Sequence, residues 1–261
     1  MPDSQPDAAR PQPAAEPPYS ALAAGYDLVM AHVDYDFWAG YAHGRLQEHH
    51  PEARSVFELA CGTGSLALAL QPLGPYDYAA TDAAPEMIRV ARRKAEHAGS
   101  PVRFEVADFR EARPEAPVDA VVLLYDGLNY LHAAGDVGRL LRAAHAALRP
   151  GGVFLFDQST PANSLNNQEF FEDEGAAEGF AYVRRSRYDA DTRLHTTSFE
   201  LTVAGRRYRE EHVQRAYTIA EIRALLDATP FTVEAAYDGF TTATATAASE
   251  RVHWVVRRGP A

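Results

Sequence analysis

The sequence predicts an α/β fold built on a mostly parallel β-sheet, with an antiparallel sheet inserted late in the chain. Three observations carry this expectation. Short, almost wholly apolar runs such as residues 118–124 read as strands buried on both faces, and they alternate with amphipathic stretches of helical period. A glycine turn, Gly62-Thr63-Gly64, joins the first of these strands to a helix. From residue 180 to 216, three β-rich runs follow one another across short turns and break the alternation.

The chain has 261 residues, which suits one large domain or a domain with an insertion. Residues 1–18 hold six prolines among Ala, Asp and Gln and read as a disordered tail. From Tyr19 the chain turns aromatic, with Tyr26, Tyr35, Phe37, Trp38 and Tyr41, and is expected to be helical to about His50. Trp38, Tyr41 and Arg45 share a helical face. Residues 19–50 read as a helical pair packed on the sheet edge and, compatibly with that, as a cap over a ligand.

The chain is organised around residues 55–69. Val56, Phe57 and Leu59, interrupted by Glu58, form a buried strand; residues 60–64 turn; Leu66, Leu68 and Leu70 among alanines form a helix. Glycines there let the backbone approach a ligand, and the helix N-terminus offers unpaired N–H groups. Gly62 to Ala67 fits the dinucleotide pattern G-x-G-x-x-A, and Asp82 stands 20 residues after Gly62, where the ribose acid of an NAD site is expected. A second strand over 76–81 ends at Asp82, and a helix starts at Pro85 with Met87, Val90, Ala91 and Lys94 at helical spacing. A carboxylate at that strand end suits both ribose hydroxyls of a nucleoside; the competing reading of Asp82 is an acid favoured by the helix dipole.

A third strand over 102–107 ends in Asp108-Phe109, an acid for an adenine amine and an aromatic to stack on its ring. The fourth, over 118–124, ends in Tyr125-Asp126-Gly127-Leu128-Asn129-Tyr130. A helix over 136–148, the turn Arg149-Pro150-Gly151-Gly152 and a fifth strand over 153–156 follow, ending at Asp157. Polar residues thus cluster at strand C-termini, where open α/β sheets bind ligands. Residues 161–215 interrupt the pattern with strands over 180–188, 193–203 and 206–216. Between Phe180 and Arg215 there are eight arginines and five acids, either a solvated sheet face or a rim that attracts an anion. Thr218 and Glu221 then fit a capping box, and strands over 231–237 and 251–256 complete the sheet.

Taken in order, Glu58 with Gly62 and Gly64, Thr81-Asp82, Ala107-Asp108-Phe109, the phrase from Asp126 to Tyr130 and the Arg-Pro-Gly-Gly turn resemble the class I S-adenosylmethionine (SAM) methyltransferases. The resemblance covers residues 19–258. It departs at Ala60, where the family has a glycine, and at Thr229-Pro230-Phe231, where a glycine usually precedes the aromatic. The phrase from Glu210 to Thr218 resembles a bacterial small-molecule branch. The resemblance implies a Rossmann-like seven-stranded sheet, mostly parallel with the last strand antiparallel. It implies a SAM-binding domain over 19–160 and 216–258, and an inserted antiparallel β lid over 161–215. SAM is then expected at Tyr26, Trp38, Glu58, Ala60, Gly62, Gly64, Asp82, Ala83, Met87, Asp108, Phe109 and Tyr125. The acceptor side is expected to use Asn129, Tyr130 and His212, near Asp126 and Tyr217; the competing reading of His212 is a structural histidine. The implied activity is methyl transfer to N or O of a small-molecule acceptor by in-line displacement. An NAD-dependent oxidoreductase and a non-catalytic SAM-binding module are the alternatives. An NAD enzyme does not need Asp108-Phe109 and usually begins at its first strand.

Composition narrows the partners. Cys61 is the single cysteine, so neither an intrachain disulfide nor a cysteine metal cluster is available, and no metal site is expected. No apolar run approaches the ~18 residues of a membrane span, and no signal-like pattern opens the chain, so a cytoplasmic protein is expected. A net charge of -11 and the lack of an Asn/Asp-Pro-Pro-Tyr/Phe motif argue against nucleic acid. The oligomeric state is left open, a homodimer included.

Overall fold

The computed structural model describes residues 13–260. In chain order the regular elements are β1 (Ala14–Ala15), α1 (Tyr26–Val29), α2 (Tyr35–His49), β2 (Ser55–Leu59), α3 (Ser65–Leu70), β3 (Asp77–Asp82), α4 (Pro85–Ala98), β4 (Arg103–Val106), β5 (Val118–Leu123), α5 (Ala134–Ala147), β6 (Leu148–Ser159), α6 (Pro161–Asn166), β7 (Glu172–Ala177), β8 (Phe180–Asp189), β9 (Leu194–Val203), β10 (Arg206–Arg215), α7 (Ile219–Asp227), β11 (Phe231–Asp238) and β12 (Arg251–Arg258).

Seven strands form the main sheet in the order β11-β12-β6-β5-β2-β3-β4. All neighbours are parallel except β12, which runs antiparallel to both β6 and β11. Strand alternation divides the core into two layers. Val56, Ala120, Val122, Val153 and Leu155 face α2, α3 and α4, whereas Phe57, Val121, Leu123, Phe154 and Phe156 face α5 and α7. Both faces are covered, which is why the strands read as continuous apolar runs. The chain steps outward from β2 to β3 and β4, then returns to place β5 on the other side of β2. That reversal opens a crevice at the C-terminal strand ends.

Local chemistry explains the helix ends. Asp34 caps α2 by accepting the Phe37 N–H, and Thr218 with Glu221 closes a reciprocal capping box on α7. Pro85 opens α4, and Gly99 ends it in the left-handed region at φ +61°.

The second sheet, β1-β10-β9-β8-β7, contains the inserted strands and packs an apolar face of Phe180, Tyr182, Phe199 and Leu201 on Leu22, Val29 and Met30. Its charged residues are largely paired: Arg184 with Asp173, Arg185 and Arg207 with Glu200, Arg209 with Glu211, Arg193 and Arg215 with Glu221. Most of the arginine excess is thus committed to neighbours.

Three expectations are corrected. Residues 1–12 of the expected disordered tail lie outside the described residues, but Ala14–Ala15 form a parallel edge strand on β10, and Glu16 N–H donates to the Arg209 carbonyl at 3.0 Å. Proline content hid this, because an edge strand needs few donors. The Arg149–Gly152 turn lies inside β6: Leu148 pairs with Val118, Val153 with Ala120, and the turn bulges out at a register shift. Strand β7 went unread because Glu172-Asp173-Glu174-Gly175 has poor β propensity; it pairs along β8 with Glu172 opposite Arg185 and Asp173 opposite Arg184, the latter two in an ion pair. Among the described residues, no helix is long and apolar enough to cross a membrane.

Candidate functional site: two abutting cavities

The loop after β2 rises left-handed through Ala60 (φ +52°), Gly62 (φ +55°) and Gly64 (φ +75°). Asp82, at the end of β3, clamps it: one carboxylate oxygen accepts the Gly62 N–H at 2.9 Å, the other the Ala84 N–H at 2.8 Å. Burial pushes the Asp82 carboxyl upward, and these two bonds oppose the push. Behind the loop, Glu58 is 3% exposed and accepts the Tyr78 hydroxyl at 2.7 Å. Burial raises its carboxyl to about 8 despite that bond.

The crevice above is a cavity of about 570 Å³, within the ~300–1,000 Å³ of small-molecule sites. Tyr26, Trp38, Glu58, Ala60, Gly62, Asp82, Ala83, Met87, Asp108, Phe109 and Tyr125 line it. Gly64 does not. A Cβ there would lie 2.7 Å from the Phe104 ring, so this glycine allows close packing beneath the loop. Asp108 is already engaged by Arg110, whose guanidinium and backbone N–H hold its carboxyl below the usual range. The helical segment before β2 is pinned over the loop by the single lysine. Lys94 Nζ donates to Asp27 at 2.7 Å and Ser65 at 2.6 Å, and Thr63 donates to Asp27 at 2.6 Å. Trp38 packs at 5.1 Å on the Tyr125 ring, with the Arg251 guanidinium 5.1 Å from its own ring centre.

A second cavity, about 720 Å³, lies between the main sheet and the inserted one. Tyr19, Tyr26, Tyr125 and Tyr130 line both cavities, which adjoin at these side chains. Asp126, Asn163, His195, His212 and Gln214 supply polar groups, and Leu22, Met30, Phe171 and Phe199 apolar ones. Tyr125 and Asp126 sit in the left-handed region, at φ +67° and +64°. Arg251 holds them there by pairing with Asp126 at 2.5 Å and with the fully buried Asp157. Burial raises the Asp157 carboxyl to about 6 against the pull of Arg251.

The proposed acceptor residues divide. Tyr130 and His212 face the second cavity and are hydrogen-bonded to each other at 3.0 Å. Asn129, expected to orient the acceptor, also lines this cavity, but its amide is committed to the backbone. Its amide donates to the Ser159 and Arg215 carbonyls at 2.8 and 2.7 Å and accepts the Ser159 N–H at 3.0 Å. It fastens the loop to the ends of β6 and β10. Tyr217 is 1% exposed and donates to the Leu131 carbonyl at 2.5 Å, away from both cavities. Tyr19, which lines both cavities, and Arg110, which lines the first, were missed, as were Glu210 and Arg251, which line neither but bond to Tyr19 and Asp126. For Glu210 and His212 a signal existed, since positions i and i+2 of a strand share a face.

Comparison with known proteins agrees with this geometry. A family model described as a methyltransferase domain matches residues 56–152, from β2 into β6. The chain is 30% identical over 248 residues to the putative methyltransferase YqeM of Bacillus subtilis, covering 92% of this chain and 97% of that protein. The chain belongs to the class I SAM-dependent methyltransferases. Its fold matches a SAM-dependent methyltransferase crystal structure from Clostridium acetobutylicum with TM-score 0.76 at 23% identity, over 90% of this chain and 96% of that one. It also matches SAM-bound CalS10, an amino pentose methyltransferase from Micromonospora echinaspora, with TM-score 0.67 at 22% identity, over 89% and 96%. The methyltransferase thus uses SAM as its donor, which removes the NAD reading left open by the glycine pattern.

Proposed function

We propose that this methyltransferase moves the SAM methyl group to a nitrogen or oxygen of a small-molecule acceptor held in the second cavity. The observation that carries the proposal is that Tyr19, Tyr26, Tyr125 and Tyr130 line both cavities; a donor in one cavity and an acceptor in the other would meet at this shared boundary. In the first cavity Asp82 is the group for the ribose hydroxyls, Asp108 and Phe109 for the adenine, and Glu58 with the Ala60–Gly62 backbone for the amino-acid end. The residues fit the donor: acceptor oxygens stand at the strand ends, and a glycine-containing loop leaves room for close approach.

When bound, SAM supplies a methyl group on an already charged sulfonium, so the leaving group needs no further activation. The protein's task is alignment, which contributes roughly 7–11 kcal/mol when reacting atoms are held in line. The residues at the boundary are held for it: Tyr26 sits on a helix pinned by Lys94, and Tyr125 on a loop tied by Arg251.

The test is a mass-spectrometric screen. Purified protein and SAM are incubated with a panel of amino sugars, amines, phenols and other hydroxyl-bearing metabolites. A product heavier by one methyl group, formed with S-adenosylhomocysteine, is expected. Methyl transfer to a protein or nucleic acid control, with none to the panel, refutes the small-molecule reading.

A further inference from the structure

A chain of four side chains runs from the inserted sheet to the boundary shared by the two cavities. Glu210 and His212, both on β10, are 0% and 3% exposed. His212 Nε2 lies 3.1 Å from Glu210 Oε2, and His212 Nδ1 lies 3.0 Å from the Tyr130 hydroxyl. The Tyr130 hydroxyl lies 2.5 Å from that of Tyr19.

The direction of this chain is decided at its buried end. Glu210 Oε1 accepts the N–H groups of Ala21 and Leu22 at 2.6 and 2.9 Å, and Oε2 accepts the Tyr19 N–H at 2.7 Å. With N–H donors on both oxygens, Glu210 acts as an acceptor, so His212 Nε2 carries the proton between them. A neutral imidazole then has Nδ1 free only to accept, so Tyr130 donates to it. The Tyr130 oxygen in turn accepts from Tyr19. What remains is a lone pair on the Tyr19 oxygen, in a residue that lines both cavities.

The backbone supports a built arrangement. Tyr19 is held at φ +67°, a conformation that tyrosine rarely adopts, and the Tyr19 N–H is bonded to the same Glu210 that ends the chain. Burial and the neighbouring Tyr130 raise the Tyr19 phenol well above its ordinary value. Such a phenol passes a proton along rather than resting as phenolate.

We propose that Glu210, His212, Tyr130 and Tyr19 form a one-way proton wire, with Tyr19 Oη meeting the acceptor as it sheds its proton. The proposal rests on the acceptor occupying the second cavity. As the acceptor atom bonds to the methyl carbon, the methyl–sulfur bond breaks and its electron pair stays on sulfur. The acceptor's proton passes to Tyr19 Oη, the Tyr19 proton to Tyr130 Oη, and the Tyr130 proton to His212 Nδ1. His212 ends as an imidazolium beside the Glu210 carboxylate and yields its proton to water after product leaves. Tyr19 is the catalytic residue; Tyr130, His212 and Glu210 act through it. The wire also defines the acceptor class, a hydroxyl or a neutral amine, whose atom attacks with its lone pair and sheds a proton as it takes the methyl group.

The first test needs no acceptor. Full-length protein with ¹⁵N-labelled histidine is saturated with S-adenosylhomocysteine, and the His212 resonances are identified by their loss in His212→Gln. The expected spectrum has the proton on Nε2, and an Nδ1 resonance that shifts in Tyr130→Phe and again in Tyr19→Phe, which keep both rings. A proton on Nδ1, or on both nitrogens, overturns the wire. The second test is single turnover with whichever panel compound is methylated. Tyr19→Phe and Tyr130→Phe are expected to slow transfer by about 10²-fold or more and to lose the solvent deuterium isotope effect, with S-adenosylhomocysteine affinity within about twofold of wild type. Wild-type rates in both variants overturn the proposal. A panel with no methylated member counts against the acceptor reading instead, and the histidine spectrum still decides the wire.

Discussion

The carboxylate of Asp82 accepts the N–H of Gly62 at 2.9 Å, across the gap between β3 and the loop after β2. One acid thus holds the glycine loop in shape and, in the proposed complex, holds the ribose. Asp82→Ala is expected to weaken SAM binding by about 2–4 kcal/mol, roughly thirtyfold to a thousandfold. Calorimetry with SAM and S-adenosylhomocysteine measures it, and unchanged affinity removes Asp82 from the donor site.

Glu58 makes the ligand-free protein sensitive to pH. Its carboxyl is raised from the ordinary 4.5 to about 8, so the fold favours the protonated form. The stabilisation linked to Glu58 is therefore fully present below about pH 4.5 and lost as pH rises through about 8. Denaturant unfolding of the ligand-free protein at pH 6 and pH 9 is expected to show wild type losing stability on the order of 1 kcal/mol or more relative to Glu58→Gln. Parallel pH profiles for the two proteins contradict the raised carboxyl.

Ala60 stands at φ +52°, where a side chain is strained. Ala60→Gly is expected to stabilise the protein by about 1 kcal/mol, read as a higher denaturant midpoint with an unchanged slope. A lower midpoint means that the lost methyl contact outweighs the relieved strain.

Arg251 lies between Asp126 and the fully buried Asp157. Arg251→Met leaves two acids facing each other without a cation and is expected to cost about 3–5 kcal/mol of stability. Urea unfolding checks this; a loss below about 1 kcal/mol shows that the loop holds its left-handed turn unaided.

Asn129→Ala tests the corrected role of that residue. It removes three bonds to the backbone of Ser159 and Arg215. A loss of about 1–3 kcal/mol in stability is expected, with SAM affinity little changed. Wild-type stability with slowed methyl transfer returns Asn129 to the acceptor site.

The sequence by itself determined the order of strands and helices, the glycine turn after Leu59, the acid at the end of β3 and the inserted β region. Those features depend on residues close together in the chain. Apolar runs bounded by turn residues are read from period and composition, and a helix cap such as Thr218 with Glu221 spans three positions. Tertiary structure decided the rest, because each remaining feature pairs groups far apart in sequence. Strand β7 pairs along β8, where Asp173 meets Arg184. The Phe104 ring packed beneath Gly64 is such a feature, and so are the bonds that tie the Asn129 amide to β6 and β10 at the edge of the second cavity. Glu210 reaches Tyr19, 191 residues away, and Arg251 reaches Asp126, 125 residues away. No local pattern encodes such contacts. They arise because the inserted sheet and the helical segment before β2 close on the same strand ends, where buried polar groups must find partners that only the folded chain supplies.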